Sequence, residues 1–205
     1  SNVPSGLPPA VAVVAGASHS LALSRDGRVF SWGSMAQSSV PASLAPVVGM
    51  SAGSGFTAVL QNNGTIAAWG NNTYGQTSVP AGLSGITSVA CGWNYVLALR
   101  EDGTLTKWGG SVFSLPSGLN NLTGIAAGGG LGMAVRRDGT ISVFGDTSMG
   151  LANVPAGLLV PAMPGSITIP VHPGVNAVAF EVTAPGGSES LVYSVSTRAS
   201  FVPGY

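Results

Sequence analysis

The chain repeats itself, and the repeat limits what it can fold into. Asp-Gly or Asn-Gly pairs stand at Asp26-Gly27, Asn63-Gly64, Asp102-Gly103 and Asp138-Gly139, at steps of 37, 39 and 36 residues. An aromatic-Gly pair keeps the same steps at Trp32-Gly33, Trp69-Gly70, Trp108-Gly109 and Phe144-Gly145. A small residue before Gly does so too, at Ala15, Ala52, Cys91 and Ala127. Three anchors in phase over four copies define a structural unit that cannot bury its own faces and must stack on its neighbours. Each unit opens on a phrase of the type Val3-Pro4-Ser5-Gly6-Leu7, repeated from Val40, Val79 and Leu115. Val154 to Leu158 starts a fifth copy that does not continue. The units therefore run over 3–39, 40–78, 79–114 and 115–153, within a repeat domain of residues 1–158.

Inside a unit the pattern is β. In "HSLALSRDGRVFSWG" a short apolar strand meets an Asp-Gly turn and a second strand. Gly accepts positive φ and Asp or Asn nearly does, which suits a tight hairpin. Leu21 and Leu23 fall on one face, with Ser20 and Ala22 on the other. A third strand precedes each hairpin, as in "VAVVAG" and "ITSVACG". Three or four short strands in each unit, with Gly 31 and Pro 14 to punctuate them, predict an all-β fold of propeller blades. Trp32, Trp69, Trp108 and Phe144 read as rings filling the gap between blades, and Gly27, Gly64, Gly103 and Gly139 as hairpin turns.

At this point the motifs point to a family. "HSLALSRDGRVFSWG" and "NNTYGQTSVPAGL" resemble the repeats of the regulator of chromosome condensation family, in the style of its bacterial members. The resemblance covers residues 1–158 and implies a β-propeller, usually of seven blades. It does not imply one function: members act on a small GTPase and chromatin, plug an enzyme's active site, or serve as surface modules. Four units depart from seven. Either four blades close a small ring, or they form an arc completed by something else.

Composition narrows the partners. Hydrophobic residues make up 45% of the chain, but Lys, Arg, Asp and Glu only 7%, against about a quarter in an ordinary globular protein. Formal net charge is zero. No basic stripe is present to neutralise phosphates, which argues against nucleic acid. No apolar run reaches the ~18 residues of a membrane span. A single cysteine excludes an internal disulfide. The chain opens on Ser1 with no signal peptide, as expected of a processed protein or an excerpt. Asn63, Asn71 and Asn121 begin Asn-x-Thr sequons. With the low charge, they point to an extracellular or cell-surface glycoprotein.

Residues in common slots read as structural. His19 shares its slot with Phe56, Tyr95 and Leu131, so it is a packing residue. Cys91 stands where other units place Ala, and it lacks the positive neighbours of a reactive thiol. His172 has no second ligand near it in sequence, so no metal is expected. The Gly-rich run 126–132 leads into a strand, whereas a phosphate loop opens a helix. No acid pair or triad appears; no enzyme activity and no cofactor are expected. The candidate binding surface lies outside the common slots, on Trp93, Tyr74 and Phe113, with Met35 and Met149 as weaker candidates. Loops on a rigid scaffold carry recognition, and aromatic residues dominate binding hot spots.

After a Pro-broken linker, residues 159–205 carry three alternating stretches: Ile167 to Val171, Val178 to Val182 and Leu191 to Val195. Three strands are few for an independent core. They read as the start of a sandwich, as a strand donor, or as strands packed on their own propeller. The expected function is that of a non-enzymatic extracellular structural and interaction protein. It would associate with copies of itself or with a co-assembling surface protein. The alternative is a soluble propeller that recognises a specific protein or a glycan through its loop face.

Overall fold

The computed structural model describes residues 3–33, 39–110, 113–146, 177–183 and 190–196, the last two as backbone alone. Among the described residues every regular element is a strand. The first unit carries β1 (Ala10–Ala15), β2 (His19–Ser24) and β3 (Val29–Gly33). The second carries β4 (Val47–Ala52), β5 (Phe56–Gln61) and β6 (Ile66–Gly70). In the third are β7 (Ile86–Cys91), β8 (Tyr95–Arg100) and β9 (Leu105–Gly109), and in the fourth β10 (Leu122–Gly128), β11 (Leu131–Arg136) and β12 (Ile141–Gly145). Each trio is an antiparallel meander in chain order. The fold is all-β and of propeller type, with three strands to a blade.

The Asp-Gly turns hold one end of each blade. Asp102 Oδ1 accepts from the Thr104 N–H and hydroxyl, and Asp138 Oδ1 does the same with Thr140. Asn63 repeats the pattern with Thr65, so its sequon is also an Asx turn. Gly103 follows at φ 77°, a left-handed conformation that a Cβ would penalise. Its carbonyl then accepts the Leu122 N–H of the next blade at 3.1 Å, as Gly27 accepts from Val47 and Gly64 from Ile86. The turn therefore clamps one blade to the next. A bulge at the start of β4, β7 and β10 goes with buried Val47, Ile86 and Leu122.

Three apolar seams separate the four sheets. Leu21 and Leu23 of the first sheet meet Met50, Val59 and Trp69 of the second. Phe56, Ala58 and Leu60 of the second meet Val89, Val96 and Trp108 of the third. Tyr95, Leu97 and Leu99 of the third meet Ile125, Ala134 and Phe144 of the fourth. Each seam joins the forward face of one sheet to the rear face of the next, with the ring slot on the rear face. The opening phrase of each unit packs into the same seam: Val40 and Leu44, Val79 and Leu83, Leu115 and Leu119. Among the described residues no seam joins the first sheet to the fourth.

Of the C-terminal segment, β13 (Ala177–Thr183) and β14 (Ser190–Ser196) pair as an antiparallel hairpin. Their register sets Val178, Phe180 and Val182 opposite Val195, Tyr193 and Leu191, so the alternating residues share one face. The expected strand from Ile167 to Val171, the fifth opening phrase from Val154, His172, Met35 and Met149 lie outside the described residues.

Candidate interaction surface

The blades have two unlike ends. At the Asp-Gly end lie the exposed charges Arg25, Asp26, Arg28, Glu101, Asp102, Arg137 and Asp138. Asp26 pairs with Arg28 at 2.8 Å on the surface, where such a pair contributes little. Hydrogen bonds from Ser24, Thr104 and Thr140 hold Asp26, Asp102 and Asp138 below the usual carboxylate range. At the opposite end the first two strands of each sheet are joined by two-residue turns, and the third strand stops after its ring-Gly pair. That end displays Trp93 and Tyr74, 65% and 60% exposed.

Trp93 is rigidly mounted. It and Asn94 are the central residues of the turn closed by the Gly92 N–H to the Tyr95 carbonyl, at 3.0 Å. The turn can sit so close to the Tyr95 ring because Gly92 has no side chain; a Cβ there would fall 1.9 Å from a ring carbon. The Trp93 N–H donates to the Gly129 carbonyl and its own carbonyl accepts from the Ser54 N–H, both at 2.9 Å. The indole lies over Gly129 of the fourth unit. An exposed ring on a fixed backbone loses little entropy on binding.

Tyr74 stands in the loop "NNTYGQTS", which its own polar residues hold closed. Asn71 Oδ1 accepts from the Thr73 N–H at 2.8 Å, and Asn72 Oδ1 from the Thr77 N–H at 2.9 Å. The buried Gln76 accepts from the Tyr74 N–H through its side chain and from the Trp108 indole through its carbonyl. The Tyr74 ring rests on Gly110, whose N–H donates to the Asn94 carbonyl. Tyr74 and Trp93 thus occupy the same end of neighbouring units. The exposed Asn71 lies beside Tyr74, while Asn63 and Asn121 lie at the Asp-Gly end.

Phe113 is placed differently from the expectation. It is half buried, meets Tyr95 edge-on at 5.1 Å between centroids and Phe144 at 5.7 Å, and belongs to the seam of the third and fourth sheets. Its neighbours claim the ring because the chain between the sheets doubles back across the seam. The Lys107 ammonium donates to the Phe113 carbonyl and sits 4.6 Å from the ring, and burial lowers its pKa.

The ring slots are as expected where a preceding sheet exists: Trp69, Trp108 and Phe144 are buried. Trp32 has no preceding sheet among the described residues and is half buried. His19 is buried with Nε2 2.8 Å from Thr57 Oγ1, and desolvation lowers its pKa. Burial pushes the Cys91 thiol up to about 12. Among the described residues no three His, Cys, Asp or Glu side chains gather into a metal site, and no helix is long and apolar enough to cross a membrane.

One apolar surface is missing from the sequence-based reading. Val13 is 73% exposed and Val3 66%, although their counterparts in later units pack in seams. Counting faces could have found them, since four stacked units leave two faces unmatched unless they close.

The regulator of chromosome condensation (RCC1) repeat pattern matches residues 10–37 and 47–76. Two of the four units match the RCC1 repeat. The match is to the repeat, not to the bacterial style of it. No curated protein sequence matches. Among solved structures, yeast RCC1 (Prp20) bound to Kap60 superposes with a TM-score of 0.60 at 19% identity, over 95% of this chain and 50% of that one. Prp20p from Saccharomyces cerevisiae, described with its binding to Gsp1p and histones, gives 0.59 at 19%, over 95% and 52%. The ectodomain of the Physcomitrella patens receptor kinase CR4 gives 0.59 at 26%, over 71% and 44%. The chain spans about half the length of these proteins.

Proposed function

We propose that this chain is a non-enzymatic structural and interaction protein that works outside the cell or at its surface. It binds protein: copies of itself or a co-assembling surface protein. The observation that supports this most is the exposed apolar pair Val13 and Val3, 73% and 66% exposed in slots that are packed in the later units. Contiguous exposed apolar surface marks interaction sites in soluble proteins. The extracellular setting is supported by the very low charge and the exposed sequons Asn63, Asn71 and Asn121. A co-capture experiment tests the reading. Tagged chain is immobilised, untagged chain is passed over it, and the retained fraction is measured. Retention of the untagged copy is expected; no retention at high micromolar concentration contradicts it.

A second reading rests on Trp93 and Tyr74. They make that end of the blades a recognition surface for a specific protein or a glycan. A protein and glycan array probed with the wild type and with Trp93→Ala tests it: a ligand lost with the indole is expected, and binding indifferent to Trp93 contradicts it.

A further inference from the structure

We infer that Asn63 is a site of spontaneous deamidation whose rate the fold governs: the closed hairpin keeps it as Asn, and opening of the hairpin converts it to Asp and isoaspartate. Asn-Gly occurs once in the chain, at Asn63-Gly64, where the other units carry Asp26, Asp102 and Asp138. The reaction needs only water. The Gly64 backbone nitrogen gives its proton to solvent base and attacks Asn63 Cγ. An N–Cγ bond forms, the Cγ–Nδ2 bond breaks, and Nδ2 takes up a proton and leaves as ammonia. Water then opens the succinimide. Addition at Cγ restores the ordinary backbone and gives Asp. Addition at the backbone carbonyl gives an isoaspartyl link, in which the chain runs through the side chain. Gly64 suits the attack because no Cβ shields its nitrogen.

The closed turn blocks this attack in two ways. The Gly64 N–H donates to the Gln61 carbonyl at 3.0 Å, so the attacking nitrogen is already engaged. Asn62 and Asn63 both keep negative φ. With that hydrogen bond the turn is type I, which sets ψ of Asn63 near about 0°. Ring closure needs the Gly64 nitrogen eclipsed with Cβ of Asn63, and this ψ holds it away. Side chains lock the arrangement. The Ala45 N–H donates to Gln61 Oε1 at 2.7 Å, and Gln61 Nε2 donates to Thr65 Oγ1 at 2.9 Å. The Thr65 hydroxyl and N–H donate to Asn63 Oδ1 at 2.6 and 3.1 Å. The two products differ in fit. Asp is accommodated, because Asp102 and Asp138 make the same bonds with Thr104 and Thr140. The isoaspartyl link lengthens the backbone just before Gly64. It thereby breaks the clamp in which the Gly64 carbonyl accepts the Ile86 N–H of the third blade at 3.1 Å.

A glycan on Nδ2 would block the reaction, so the test uses protein from a host that does not glycosylate. The chain is incubated at mildly alkaline pH, native and in denaturant, and peptide mapping by mass spectrometry follows Asp and isoaspartate at Asn63. Conversion is expected in denaturant and should be slower by about tenfold or more in the native protein, where it waits on local opening. Thr65→Val removes the hydroxyl that links Gln61 to Asn63, and Gln61→Leu removes the other end of the lock. Each should speed native conversion about two- to tenfold, by the usual worth of a hydrogen bond, and leave the rate in denaturant unchanged. Circular dichroism checks that each variant is folded. Asn63→Asp should unfold at the wild-type midpoint. Equal native and denatured rates overturn the inference, as does no conversion in denaturant. Folded variants that both convert no faster than the wild type overturn the lock, and a markedly destabilised Asn63→Asp overturns the fit of the product.

Discussion

Trp108 donates its indole N–H to the carbonyl of Gln76 at 3.0 Å, tying the ring slot of the third unit to the loop of the second. Trp108→Ala empties a packed seam and should lower stability by about 3–5 kcal/mol, by the usual cost of deleting a buried large ring. Trp108→Phe keeps most of the ring, as Phe144 does in the fourth unit, and should cost less while leaving the Gln76 carbonyl unpaired. Trp32→Ala should cost the dilute monomer least, since Trp32 is only half buried and no described sheet lies behind it. Denaturant unfolding of the three variants gives the order; equal losses at Trp32 and Trp108 would contradict the seam account.

The Asp-Gly turn separates two roles. Gly103 sits at φ 77°, and a Cβ there would approach the Leu122 nitrogen to 3.0 Å. Gly103→Ala should cost about 1–2 kcal/mol from the left-handed backbone alone, and more if the clamp to Leu122 opens. Asp102→Asn should be nearly neutral, because Asn63 makes the same turn. Thermal unfolding of the pair checks this.

His19 sets a pH dependence. Burial lowers its pKa below the ordinary 6.5, so the unfolded chain binds a proton more readily than the folded one. Stability is then full above about pH 6.5 and is lost as pH falls from there to the folded pKa. His19→Phe, the residue of the equivalent slot in the second unit, should flatten the curve between pH 7.5 and 5. Denaturation midpoints across that range measure it.

Cys91 should be inert while the protein is folded. It is buried, with its pKa raised to about 12, and the thiolate is the reacting form. Iodoacetamide should label it only in denaturant, as intact mass will show. Rapid labelling of native protein would mean that the seam between the second and third sheets opens readily.

The repeat made most of the fold legible in advance. Positions recurring in all four units, such as Leu21 and the ring slots, read as packing positions, and Leu21, Trp69, Trp108 and Phe144 are buried. Trp93 was legible for the opposite reason: it alone is large where Ala17, Ser54 and Gly129 are small. Phe113 was misread because sequence places it in a variable loop. Only the path of the chain turns that loop back over Tyr95 and Phe144. Val13 was hidden because its slot is a core slot everywhere else. Its exposure goes with the lack of a sheet behind it among the described residues.

The solution mass of the native protein by light scattering, with intact mass spectrometry on the same sample, tests the central claim most directly. The account predicts an oligomer or polymer of whole chains that dissociates on dilution, with glycan mass at the exposed sequons when the source is a glycosylating host. A monomer at every concentration would contradict it.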